Sequence, residues 1–131
     1  MVNGSIITST GKVILLNRGY KSSPDYTVPS VFQVGTGQTT PMVSDTQLTG
    51  FVTISTGVTS KSFVAGYPTF NETKREVTIR GYLSSTDANG YNINGSGIKN
   101  SQGNLTSIDA FTAESKSSSD EFAFIWVDRI I

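Results

Sequence analysis

Several short stretches of this 131-residue chain carry residue types that do chemistry, at spacings that invite a test. Ser9-Thr10-Gly11-Lys12 has the ending of a phosphate-binding loop, in which backbone amides cradle phosphates and a lysine reaches them. The pattern fails twice. Ile6 stands near the place of the first glycine, and Val13 occupies the position where Ser or Thr would hold magnesium. The quartet reads as a helix start. Gly35-Thr36-Gly37 opens like a dinucleotide fingerprint, but Thr40 replaces the third glycine and no helical pattern follows, so it is a bend. Asp87, Asn89 and Asn92 offer oxygens to calcium. Ile98, however, sits where a bidentate glutamate would close the loop, and a polar turn is the better reading.

Carboxylates could also work in pairs, Asp109 with Glu114 or Asp120 with Glu121, since glycoside hydrolysis needs two across a cleft. The ten acidic residues are scattered through turn-like stretches, which favours surface solvation. The chain has no His and no Cys. That removes the commonest general base and metal ligand, along with disulfides, thiolate nucleophiles and cysteine zinc sites. Ten basic residues balance the ten acidic ones without forming a block, so the basic face of a nucleic-acid binder is missing. No apolar run approaches the roughly 20 residues of a membrane span. We therefore expect no catalytic, cofactor-binding or metal-binding residues, no enzyme activity, and neither nucleic-acid nor membrane partners.

The elements that would position any site follow from periodicity. Arg75 to Ser84 is the clearest strand. Val77, Ile79, Gly81 and Leu83 share one face, and Thr78, Arg80, Tyr82 and Ser84 the other, as in a half-buried strand. Lys61 to Phe70 is its expected hairpin partner across a short polar connection, with Pro68 marking an edge or a bulge. Ser9 to Gly19 is the expected helix, capped by Ser9 or Thr10, with Val13, Leu15 and Leu16 as an apolar patch and Gly11 as a weak point. Further strands are expected at Val31 to Val34, Gly50 to Thr56, Tyr91 to Ile98 (interrupted by Gly95 and Gly97), Leu105 to Phe111 and Glu121 to Ile131. Ser44 or Asp45 would cap one helical turn through Leu48, and Ser115 to Ser119 is a polar loop. Turn signals every 8 to 12 residues between short strands predict one mainly β domain over residues 1–131. The expected form is an antiparallel sandwich or partly open barrel with one short N-terminal helix.

In the last strand Phe122, Phe124 and Trp126 alternate with Ala123, Ile125 and Val127, and the chain ends on Ile130-Ile131. Trp126 is expected in the core. The apolar end is expected to pack under another layer or against another subunit, making Phe122, Phe124, Trp126, Ile130 and Ile131 the candidate interface. Tyr82 and Tyr91 lie on or beside the wet face of the central strands and are the candidate exposed contacts.

The order EVTIRGYLSSTDANG, INGSGIKNSQGNL and FTAESKSSSDEFAFIWVDRI resembles the tail-collar-fibre and related virion proteins of tailed bacteriophages. SIITSTGKVILLNR followed by FQVGTGQTTPMVSDTQL is similar to the helix, glycine turn and Ser-Asp-Thr segment with which such proteins begin. The likeness spans nearly the whole chain. It implies a non-enzymatic structural part, a tail fibre, collar or adaptor subunit, which assembles in the host bacterial cytoplasm and joins other virion proteins as a homo-oligomer. The alternatives are a capsid decoration protein and a module that binds host-surface glycans. No catalytic residue is carried over by the resemblance.

Overall fold

The computed structural model describes residues 2–130, the first strand by its backbone. In chain order the elements are β1 (Val2–Gly4), β2 (Ile6–Ile7), α1 (Ser9–Tyr20), β3 (Pro29–Gly35), β4 (Lys61–Ser62), β5 (Thr69–Asn71), β6 (Glu76–Leu83), β7 (Asn92–Asn100), β8 (Leu105–Ser115) and β9 (Phe122–Arg129). One sheet runs β1-β9-β6-β5, with β1 parallel to β9 and the other pairs antiparallel. The second runs β2-β8-β7-β3-β4 and is antiparallel throughout. The protein is mainly β, two sheets facing each other with one helix, as expected.

Period-two patterning places the core between the sheets. Ile79 and Leu83 of β6, Phe32 and Val34 of β3, Ile93 and Ile98 of β7, and Phe124 and Trp126 of β9 are all buried. Trp126 stacks on Phe124 with ring centroids 5.5 Å apart and planes 5° apart, and lies 5.3 Å from the Phe32 ring. Its indole N–H donates to Ser96 Oγ at 2.7 Å, so the polar edge of the ring is satisfied inside the core. Gly81, on the buried face of β6, leaves the room that this ring fills: a Cβ there would lie 2.6 Å from Trp126 Cη2.

The helix starts as its sequence suggests, although the cap is Thr8 rather than Ser9 or Thr10. Thr8 Oγ1 accepts the Gly11 N–H at 2.9 Å and donates to the Leu105 carbonyl at 2.7 Å, tying the helix start to β8. Gly11 is kept by this contact and not by helix propensity. A Cβ there would come 2.1 Å from the Thr106 carbonyl oxygen, so only glycine lets the helix approach β8 this closely.

Some expected elements differ. Gly50 to Thr56 is not a strand and forms only isolated bridges, Gly35 with Phe51 and Ser55 with Val58. Its alternation still holds: Val52 and Ile54 are buried, and Val52 N–H donates to the Val34 carbonyl at 3.0 Å, so the segment docks on β3 by its apolar side. No helical turn forms at Ser44 to Leu48, because the Asp45 carboxylate accepts the Met42 N–H at 2.8 Å and closes a turn. Leu48 then lands on a floor made by Gly35 of β3 and Gly95 and Gly97 of β7, and β7 runs on through its two glycines with a register shift between Ile93 and Gly95. The expected hairpin is split between the sheets. Lys61 and Ser62 pair with β3, while Thr69 to Asn71 pair with β6 and Val64 N–H donates to the Arg80 carbonyl of β6 at 2.8 Å, leaving β5 an edge strand as Pro68 foretold.

Candidate functional site

Helix α1 covers one end of the sandwich incompletely. Of its residues only Gly11 and Ile14 are buried. Val13, Leu16 and Tyr20 are 51%, 61% and 89% exposed. Their spacing of three and four residues sets them in one outward stripe, on a different face from the Gly11–Ile14 contact with β8.

Beside the helix, between α1 and the β5–β6 end of the first sheet, lies a cleft of about 670 Å³. Its walls are apolar: Ile14 and Leu15 come from α1, Phe70 and Val77 from the hairpin, and Ile79 and Ile130 from the first sheet and its end. Exposed Arg18, Glu72 and Arg75 also border it, and Glu76 and Asp128 are the half-buried charged groups in its wall.

Asp128 continues the inward phase of Phe124 and Trp126 on β9. The Ser5 hydroxyl donates to it. Burial pushes its carboxyl up from the ordinary carboxylate range, against the opposing influence of the Ser5 and Ser107 hydroxyls. Ser107 Oγ is fully buried beside it without closing a hydrogen bond of standard geometry. Asp109 of β8 is also pushed up, first by burial and further by the Asp128 charge, while the Ala110 N–H opposes the shift. Among the described residues neither carboxyl forms an ion pair. Sequence spacing suggested Asp109 with Glu114 and Asp120 with Glu121; the fold brings Asp109 to Asp128 instead. The alternation Phe122, Phe124, Trp126, Asp128 was the available signal, because it places this acid on the buried face.

The opposite end of the sandwich is polar and internally satisfied. Asp87 accepts Lys61 Nζ at 2.6 Å and the Ser84 N–H at 2.8 Å. Burial opposes its ionisation, but these donors prevail and hold its carboxyl below the usual range. Lys61 Nζ also sits 5.4 Å from the centre of the Tyr82 ring. The Tyr82 hydroxyl meets Glu121, whose carboxylate raises the phenol pKa. Lys116, inside the expected polar loop, is only 2% exposed and donates to Asn89 Oδ1 at 2.8 Å and the Ser117 carbonyl at 3.1 Å. The three oxygens considered for calcium are thus engaged separately: Asp87 by Lys61, Asn89 by Lys116, and Asn92 by the Ser115 hydroxyl. Among the described residues no group of acidic side chains could hold a metal.

The interface expected from the last strand is largely corrected by these positions. Phe124 and Trp126 are 0% exposed and enclosed by this chain's own sheets, so they cannot form a seam with another subunit. Phe122 is half-buried, packed on Phe124. Ile130 is exposed and borders the cleft, while Ile131 lies outside the described residues. Tyr82 is half-buried and already occupied by Lys61 and Glu121; Tyr91 is exposed. Apolar surface is free on α1 and in the cleft beside it, and also on the loop residues Met42, Val43, Phe51 and Val58. Compared with models of protein families, with curated proteins and with solved structures, the chain matches none.

Proposed function

We propose that this chain is a non-enzymatic structural component of a tailed-phage virion, a tail fibre, collar or adaptor subunit, and that it self-associates through α1. The observation that carries the reading is the outward stripe of Val13, Leu16 and Tyr20. Neighbouring apolar side chains left in water at heptad-like spacing suit helix-to-helix contact between identical copies. The flanking positions do not oppose this. Asn17 and Gly19 are neutral, Lys12 flanks the stripe, and the Asp25 carboxylate bonded to Asn17 is paired with Lys21. The virion assignment is supported by the resemblance, which runs from the helix through the last strand, and by a composition poor in charge and free of His and Cys. A capsid decoration role would use the same surface on a different neighbour.

The test is native mass measured across a wide range of protein concentrations, for the natural chain and for Leu16→Lys. Because Leu16 is exposed, the variant keeps the fold, which far-ultraviolet circular dichroism verifies. A stable oligomer is expected, with Leu16→Lys weakening it by at least about tenfold, the scale of a central interface residue. A natural chain that stays monomeric throughout and retains no other virion protein would overturn the reading. A monomer that instead binds glycans through the Tyr91 surface would favour the receptor-recognition alternative.

A further inference from the structure

We infer that Ser5, Asp109 and Asp128 form a pH-sensitive latch, which fastens the N-terminal strap, residues 2–7, across the edges of both sheets in acid and loosens it as the pH rises. The latch is independent of the α1 stripe, since it works on a different segment of the chain.

In the strap one short run of chain serves both sheets. β1 pairs with β9 at one edge of the first sheet, and β2 pairs with β8 at one edge of the second. Ser5 is the residue between them. Gly4 lies opposite Val127 in the parallel ladder and Ile6 opposite Ile108 in the antiparallel one, so one further step in each register sets Ser5 across from both Asp128 and Asp109. Both acids face the space between the sheets. Asp128 follows the inward phase of Phe124 and Trp126, and Asp109 lies opposite Ser96, whose hydroxyl receives the Trp126 indole N–H. The two carboxyls therefore flank one crossover residue. Its hydroxyl has one proton to give, and donates it to Asp128.

Among the described residues neither acid forms an ion pair. Val2, Asn3, Gly4, Ile6 and Ile7 of the strap are uncharged, β8 adds Ser107, and Val77 of β6 lies opposite Asp128. Glu76 and Arg129 engage each other. Exposed Arg18, Glu72 and Arg75 stand around the cleft that Asp128 borders, and Arg18 already donates to the Tyr26 carbonyl at 2.6 Å. Burial raises both carboxyls, against the Ala110 N–H at Asp109 and the Ser5 and Ser107 hydroxyls at Asp128, and the Asp128 charge raises Asp109 further. Lifting the strap lets water reach both acids and returns them toward ordinary values, so the fastened form holds protons more tightly. Fastening is then fully favoured below about pH 4 and is lost as the pH rises through the raised values. The ladders concerned are short, three residues in β1 and two in β2, so a change at the residue between them tips the whole strap. Its release leaves the outer edges of β8 and β9 unpaired.

The experiment follows native-state amide hydrogen exchange in the full chain by NMR, corrected for the intrinsic effect of pH, from about pH 4.5 to about pH 7.5 and at several urea concentrations below unfolding. Protected amides among residues 3–7 report the strap, and those of Ile79 and Trp126, paired in the middle of the β6–β9 ladder, report unfolding of the whole chain. The strap amides are expected to exchange through an opening that is nearly independent of urea and that grows at least about tenfold over this pH range, the factor carried by one unit of pKa. Asp109→Asn and Asp128→Asn together should flatten the pH dependence, and Ser5→Ala should raise the opening at every pH. Strap amides that match Ile79 and Trp126 in protection and urea dependence would overturn the proposal, because the strap would then open only with the whole fold. So would an opening that stays constant or shrinks as the pH rises, or a rise left unchanged by the paired substitutions. The first two of these outcomes are read on the natural chain, so a variant that fails to fold leaves the test intact.

Discussion

Adding one methyl group at Gly81 tests the core directly. In Gly81→Ala the new Cβ would lie 2.6 Å and 2.8 Å from Trp126 Cη2 and Cζ3, and 2.9 Å from Phe32 Cε1. Carbon atoms pack at about 3.5–4.0 Å, so rings on both sheets must retreat by roughly 1 Å. Trp126 has little freedom to do so, being stacked on Phe124 and held by its 2.7 Å bond to Ser96. Overpacking of this kind costs about 1–3 kcal/mol, and the pinned ring argues for the upper half of that range. The smaller unfolded-state entropy of alanine returns about 0.4–1 kcal/mol, leaving a net loss of about 2 kcal/mol. For a chain of this length that lowers Tm by roughly 6–10 °C. Trp126 is the sole tryptophan, so denaturant unfolding followed by its fluorescence reads the perturbed site itself. Gly19→Ala is the control, since nothing lies within 4 Å of its added Cβ. On the helix it should stabilise by up to about 1 kcal/mol. A Gly81→Ala protein as stable as the natural one would refute the packing derived for β6 against β9.

Two carboxylates should give opposite pH signatures. Asp87 has a lowered folded pKa, so its stabilisation is present above the unfolded value of about 3.9 and disappears as pH falls through the folded value. Asp87→Ala should cost about 1–3 kcal/mol at pH 7, by stranding the Ser84 N–H and Lys61, and progressively less in acid; urea titrations at several pH values check this. Asp128 has a raised folded pKa, so the native state holds the proton more tightly and stability falls as pH rises from about 4 through the folded value. Asp128→Asn should therefore gain stability relative to the natural chain by about 1–3 kcal/mol at pH 7, with the gain shrinking toward pH 4. A pH-independent difference would remove the case for Asp128 as a buried, unpaired carboxyl.

Period-two alternation alone was enough to recover β6, β9 and the mainly β class, because a strand that buries one face must repeat apolar residues every second position. The same rule placed Trp126 and Gly81 in the core, and a capping residue followed by an apolar run marked α1 to within a residue or two of its ends. Partnership between elements lay beyond such local patterns. Lys61 and Phe70 fall in one extended stretch yet join different sheets, and Gly95 and Gly97 look like interruptions until Leu48 is seen resting on them. The site depended on the fold even more strongly. Nothing local distinguishes Ile14, which is buried, from Leu16, which is exposed, because exposure depends on where β8 lies beneath the helix. Asp109 and Asp128 come from separate strands, and only the facing of the two sheets sets their charges against one another. Local sequence determines which residues point the same way along one element, since backbone periodicity is a short-range property. Which elements share a wall, leave a cleft or isolate a charge is decided by packing over the whole chain, where sequence separation carries no direct distance.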